Sequence, residues 1–139
     1  MALVVDTGVL LASFDRTDLY HRECAQLLRA RQDRVIPAPV LGELDYWCGV
    51  KGLPDAFDDI VRSGLEGSLR IEGLEQGDYE RILEIRSDYR DLRVGYVDAA
   101  VLAIVERLGE RKLATLDRRH FGVMRPRHVA ALELLPATA

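Results

Sequence analysis

Leu3-Val4-Val5-Asp6-Thr7 starts as an aliphatic run, two of its three residues β-branched, and then breaks on a carboxylate. Such a run reads as a short buried strand, and aspartate is a favoured residue at the start of a helix. The same grammar recurs at Lys112 to Leu116, a strand ending at Asp117. Strands are further expected at Val35 to Val40, more weakly at Leu69 to Ile71, and at Leu132 to Leu135. Helices are expected at Leu10 to Phe14, Tyr20 to Arg31, Val40 to Gly49 and Pro54 to Leu65. Glu75 to Tyr89 reads as amphipathic, with Tyr79, Ile82, Leu83 and Ile85 inward. Gly95 to Leu108 is the most apolar helix, closed by Gly109. Strands alternating with helices define an α/β class with a small, mainly parallel sheet flanked by helices.

The chain has 139 residues, 48% hydrophobic and 30% charged, enough for the core of one domain, and no linker or repeat divides residues 1–139. Disorder and collagen-like structure are excluded. Cys24 and Cys48 form no CxxC pair, so neither a disulfide framework nor a zinc site is expected. The longest apolar run, Ala99 to Val105, is far short of the roughly 18 residues of a membrane span, and no basic leader precedes Leu3. These features predict a cytoplasmic protein without a membrane partner. The net charge of −4 disfavours general nucleic-acid affinity. Between Arg107 and His128, however, seven basic residues stand against only Glu110 and Asp117, so an anionic partner is permitted.

Four acids stand where patterning would not put them. Asp6 and Asp117 follow strands directly, and ligands of parallel α/β sheets collect beyond the carboxyl ends of strands. Each alone reads first as a helix cap or turn residue. Glu43 is expected on an apolar stripe with Val40, Leu44 and Trp47, and Asp98 among Val94, Val101, Leu102 and Val105. A carboxylate among aliphatic groups is costly unless paired or bound to a metal, and Arg93 or Arg107 would be the bland partner for Asp98. If all four share one crevice, like charges about 4 Å apart repel by roughly 4 kcal/mol at an effective dielectric of 20. A compensating cation is then required. An all-oxygen site with no His or Cys nearby selects Mg²⁺ or Mn²⁺, and hence phosphoryl chemistry.

The opening Asp6-Thr7 with Leu10-Leu11-Ala12, then Gly42-Glu43-Leu44-Asp45, Gly95-Tyr96-Val97-Asp98-Ala99-Ala100 and Thr115-Leu116-Asp117-Arg118-Arg119-His120-Phe121, resemble in order and spacing the motifs of PIN-domain ribonucleases. Length and wording are nearest to the VapC toxins of bacterial VapBC toxin–antitoxin pairs. The resemblance implies a PIN-like α/β/α sandwich and a metal-dependent endoribonuclease leaving a 5′-phosphate and a 3′-hydroxyl. It makes Asp6 and Asp98 the direct metal ligands, with Asp117 and Glu43 completing the cluster for a second ion or for the attacking water. Thr7 and Thr115 would hydrogen-bond these carboxylates from behind. RNA is the implied substrate, a VapB-type antitoxin and a second copy of the chain the implied protein partners. Asp45 and Asp91 have no assigned part.

Arg118, Arg119 and His120 are either RNA backbone contacts or an exposed basic turn. The three histidines share no metal-ligand spacing, and Tyr46, Trp47 and Phe121 are expected to pack in the core. The apolar face of the Leu53 to Leu65 helix suits either self-association, antitoxin docking or core packing. A receiver-like Mg²⁺-binding phosphoacceptor is the alternative from another class. It would need an acidic pair after the first strand and a lysine at the end of a later one, but Thr7 follows Asp6 and Lys112 opens its strand. An aspartyl phosphatase would need a DxD arrangement, which is absent. A PIN scaffold kept only for binding would not need all four acids.

Overall fold

The computed structural model describes residues 1–30 and 33–137. Five strands, β1 (Leu3–Val5), β2 (Arg34–Pro37), β3 (Arg70–Glu72), β4 (Lys112–Ala114) and β5 (Glu133–Leu135), form one sheet in the order β3-β2-β1-β4-β5. All four pairings are parallel, with Val4 opposite Val35 on one side and Leu113 on the other. Among the described residues, seven α-helices flank the sheet: α1 (Thr7–Phe14), α2 (His21–Ala30), α3 (Ala38–Lys51), α4 (Pro54–Glu66), α5 (Gln76–Asp88), α6 (Tyr96–Leu108) and the short α7 (Arg118–Phe121). Leu3, Val4, Val5, Val35, Ile36 and Leu113 are buried, as central parallel strands covered on both faces must be. α6 contributes an unbroken buried run from Ala99 to Val105.

The strand order places β1 where the chain reverses its direction of travel across the sheet. One half runs outward through β2 and β3, the other through β4 and β5. The loops leaving β1 and β4 therefore diverge, opening a crevice beyond their carboxyl ends. Asp6 immediately follows β1, and Asp117 lies three residues beyond β4.

Several boundaries and faces differ from the sequence reading. α1 starts at Thr7 rather than Leu10, because the Asp6 carboxylate accepts from the Thr7 amide and holds the first turn. β2 ends at Pro37, and Pro39 sits inside the first turn of α3, where its missing N–H costs nothing. The expected end of the second helix at Arg31 lies outside the described residues. On α5, Ile82 and Ile85 are buried but Tyr79 and Leu83 are exposed; the inward face instead takes Asp78. Tyr46 and Trp47 are also exposed, while Phe121 is buried. On α4, Ala56 and Ile60 pack inward and Leu65 is left in solvent, so core packing accounts for most of that helix's apolar face.

Asp78 is buried yet fully engaged. Its carboxylate accepts from the Glu75 amide at 2.9 Å, closing the α5 capping box, and from Arg107 Nε at 3.0 Å and 3.2 Å. The same guanidinium reaches Glu72, Glu75 and the Gly73 carbonyl, tying α6 to the β3–α5 connection. Asp78→Ala removes the most buried of the carboxylates that hold Arg107 and opens a helix cap. It is expected to cost about 2–4 kcal/mol in urea unfolding, against under about 0.5 kcal/mol for exposed Asp88→Ala.

Candidate active site

The four acids that patterning singled out line a single cleft of about 540 Å³, together with Thr7, Gly8, Leu11, Trp47 and Leu116. Asp6 is the deepest, 6% exposed at the end of β1, with its amide bonded to the Ala114 carbonyl at 2.9 Å. One carboxylate oxygen accepts from the Thr7 amide at 2.8 Å and the other from Thr115 Oγ1 at 2.9 Å. Thr115, itself fully buried, accepts in turn from the Asp117 amide at 3.0 Å. Thr7 Oγ1 donates to Glu43 Oε1 at 2.6 Å. The two threonines thus fix the β1 and α3 acids in place and link the acids of the two strand ends.

Asp117 is both a helix cap and part of the cleft, so the two readings of it do not compete. Its Oδ1 accepts from the His120 amide at 3.0 Å, capping α7. Its Oδ2 lies 2.7 Å from His120 Nδ1, while the imidazole Nε2 reaches the Leu92 carbonyl at 3.2 Å. Asp98, in the first turn of α6, places a carboxylate oxygen 3.7 Å from the same Nδ1. Asp98, Asp117 and His120 each offer a ligand atom within 4.8 Å of the others. This corrects the expectation of a site without histidine. Asp6 and Glu43 line the cleft outside that tight trio.

Neither Arg93 nor Arg107, the alternative partners for Asp98, pairs with it. Arg107 is committed to Asp78, Glu72 and Glu75, and Arg93 is exposed with a left-handed backbone, φ 55°. Among the described residues, no Lys or Arg forms an ion pair with Asp6, Glu43, Asp98 or Asp117. Burial pushes the Asp6 carboxyl up to about 7, reinforced by the charges of Asp98 and Glu43 and opposed by its hydrogen bonds from Thr7 and Thr115. Burial also raises Asp98 to about 6, with Asp117 and Glu43 adding to the rise and His120 countering it. His120 is shifted upward: its desolvation is outweighed by the hydrogen bond and charge of Asp117 and the charge of Asp98.

The basic run after Asp117 divides three ways. Arg118 donates to the Leu134 and Pro136 carbonyls and so clamps α7 to the end of β5. His120 turns to the acids, and only Arg119 is exposed. The run is therefore not a uniform RNA-contact strip. Asp45 and Asp91 are exposed and do not line the cleft. Two residues named in the sequence take a different place from the one expected. His120 stands three residues after Asp117, a spacing that returns a side chain to the same helix face. Trp47 stands four after Glu43 and lines the cleft rather than the core.

A PIN domain family model matches residues 3–125. The chain belongs to the PIN domain family. This PIN domain is 31% identical over 125 residues to ribonuclease VapC26 of Mycobacterium tuberculosis (strain ATCC 25618 / H37Rv), a match covering 89% of this chain and 93% of that protein. Its fold is shared with the solved Mycobacterium tuberculosis VapC20, a sarcin-ricin loop cleaving toxin, at a TM-score of 0.80 and 19% identity, over 91% of this chain and 98% of that one. It is shared also with VapBC2 of Rickettsia felis, solved bound to a promoter DNA fragment, at a TM-score of 0.68 and 17% identity, over 96% and 98% of the two chains. Among the described residues of the PIN domain, no helix is long and apolar enough to cross a membrane.

Proposed function

We propose that this PIN domain is a Mg²⁺- or Mn²⁺-dependent endoribonuclease toxin of the VapC type. It hydrolyses RNA to 5′-phosphate and 3′-hydroxyl ends, and a VapB-type antitoxin restrains it in the cytoplasm. The observation that carries this reading is the convergence of Asp6, Glu43, Asp98 and Asp117 on one cleft where, among the described residues, no Lys or Arg forms an ion pair with them. Two of these carboxyls are raised, first by burial and further by the neighbouring acids, so their ionisation in the metal-free protein is unfavourable. The donor set, carboxylate oxygens with one imidazole, suits a hard divalent ion. The whole chain, residues 1–139, is read as one such domain, acting as a homodimer.

Asp98, Asp117 and Asp6 would hold the ion, with His120 close enough to join them. A divalent ion there supplies Lewis acidity at the phosphodiester and lowers the pKa of an attacking water. The protein's own groups do the rest. Thr115 and the Thr7 amide lock both Asp6 oxygens in one orientation. Thr7 holds Glu43 by Oε1, which aims that carboxylate into the cleft as the group that orients the water and takes its proton. Nε2–H of His120 donates to the Leu92 carbonyl, which turns Nδ1 toward Asp117 and holds the ring beside the acids.

The test is incubation of the purified chain with total RNA. Cleavage is expected with Mg²⁺ or Mn²⁺, abolished by chelator and restored by either ion in excess. Cleavage that persists in chelator, or an absence of cleavage at every divalent ion tried, counts against the reading.

A further inference from the structure

We propose that Trp47 is a base-stacking residue: its indole takes the face of the base of the nucleotide beside the scissile phosphate, and so supplies part of the site's affinity for single-stranded RNA. The inference rests on the ribonuclease reading above and goes beyond it in assigning the substrate's base a binding surface. Trp47 lies on α3 one turn after Glu43, a rise of roughly 6 Å, and both line the same cleft. The lining is chemically divided. Asp6, Glu43, Asp98 and Asp117 supply its polar part, and Leu11, Trp47 and Leu116 its apolar part. A nucleotide has the same division, a charged phosphate joined through the sugar to a flat π face.

The side chain is also prepared for such a contact. It is 43% exposed, although a tryptophan ordinarily gains by burial. Tyr46 packs edge-on against it, ring centroids 5.1 Å apart at 83°, which steadies the indole and reduces the ordering cost of binding. Charge alone gives this protein little hold on RNA. The net charge is −4, and several cations of the basic segment are already engaged: Arg107 by Asp78, Arg118 by carbonyls, Arg127 by Glu84. Single-stranded RNA is recognised chiefly by stacking of unpaired bases on aromatic side chains, which supplies affinity where phosphate contacts are few.

Trp47 is the only tryptophan in the chain, so its emission reports on this one contact. Wild-type protein with Mg²⁺ is mixed with short single-stranded RNA oligomers and read by stopped-flow before turnover. Quenching is expected, and an abasic residue at one position of the oligomer should remove it. In steady-state cleavage, Trp47→Phe should keep KM within about threefold. Trp47→Leu, of comparable apolarity without the π face, should raise KM roughly tenfold or more with kcat little changed. Equal kinetics for the Phe and Leu variants overturn the proposal. So does emission that responds only to dilution of the protein alone, which would place a second copy over the indole. Quenching without any cleavage by the wild type supports the stacking and defeats the ribonuclease reading. Cleavage with an unresponsive tryptophan does the reverse.

Discussion

Asp98→Asn is expected to reduce RNA cleavage by on the order of 10³-fold or more while leaving the metal-free fold as stable as before, or more so. Asparagine keeps the shape of the side chain and removes its charge. In the metal-free protein that charge is unwelcome: burial and the charges of Asp117 and Glu43 raise the carboxyl to about 6, so ionisation at neutral pH opposes folding. With the side chain 22% exposed, the relief is at most about 1–2 kcal/mol after allowing for solvent. Among the described residues, the compensating partner is His120 at 3.7 Å, which also has Asp117. Activity and urea unfolding measured on one preparation separate the possibilities. Loss of cleavage with an unchanged or raised midpoint supports the metal-site role, whereas a fall of several kcal/mol would mean that Asp98 braces the fold. Asp91→Asn, seven residues earlier, exposed and outside the cleft, is the matched control and should leave both unchanged.

The sequence made the strand-end acids visible for a physical reason. An acid that ends an aliphatic run either caps the next helix or faces the crevice, and in a parallel sheet the two places coincide. Asp6 and Asp117 do both. Asp98 was visible because it stands at the head of a long aliphatic run, Ala99 to Val105, all of it buried in α6. Glu43 was located for a partly mistaken reason. The buried stripe of α3 is Val40, Leu44 and Cys48, so Trp47 does not belong to it and Glu43 flanks it, facing the cleft. Hydrophobicity cannot distinguish an aromatic that fills a core from one that walls a cleft, because both are shielded by the same neighbours along the helix. The same limit applies to Tyr79 and Leu83, displaced from the inward face of α5 by the paired Asp78. His120 was grouped with the arginines as a backbone contact or turn residue rather than with the acids, because α7 has only four residues and no periodicity to read. The all-parallel strand order, which makes β1 the reversal point and so opens the crevice, depends on long-range pairing that no local pattern encodes.

Metal-free protein should lose stability as pH rises from 5 to 8, and divalent ions should restore it only at the upper end. Asp6 carries most of this effect. Its carboxyl titrates near 7 in the folded chain against 3.8 for the reference group, so between those values the folded state holds a proton that the unfolded state has released. The cost of ionising it is absent below pH 3.8, grows through the window and is complete above about pH 7. For a group this buried the three-unit gap corresponds to about 4 kcal/mol, an upper bound because Asp98 and Glu43 titrate in the same field. Asp98, raised to about 6, has the same sign. So does His120: its folded pKa lies above 6.5, so its contribution is present below that value and lost as pH rises through the folded one. The three effects act together, and a melting temperature lower by about 10 °C at pH 8 than at pH 5.5 is expected. Asp15, whose carboxyl is held low by its hydrogen bonds from Thr17, acts in the opposite sense but only below the window. Millimolar Mg²⁺ or Mn²⁺ should recover most of the difference at pH 8 and little at pH 5.5, where protons already occupy the acids. Asp6→Asn should flatten the profile and weaken the response to metal. A melting temperature that is level or rising across this range and indifferent to divalent ions would mean that each carboxylate is neutralised by some other route, and the cleft would then have no need of a cation.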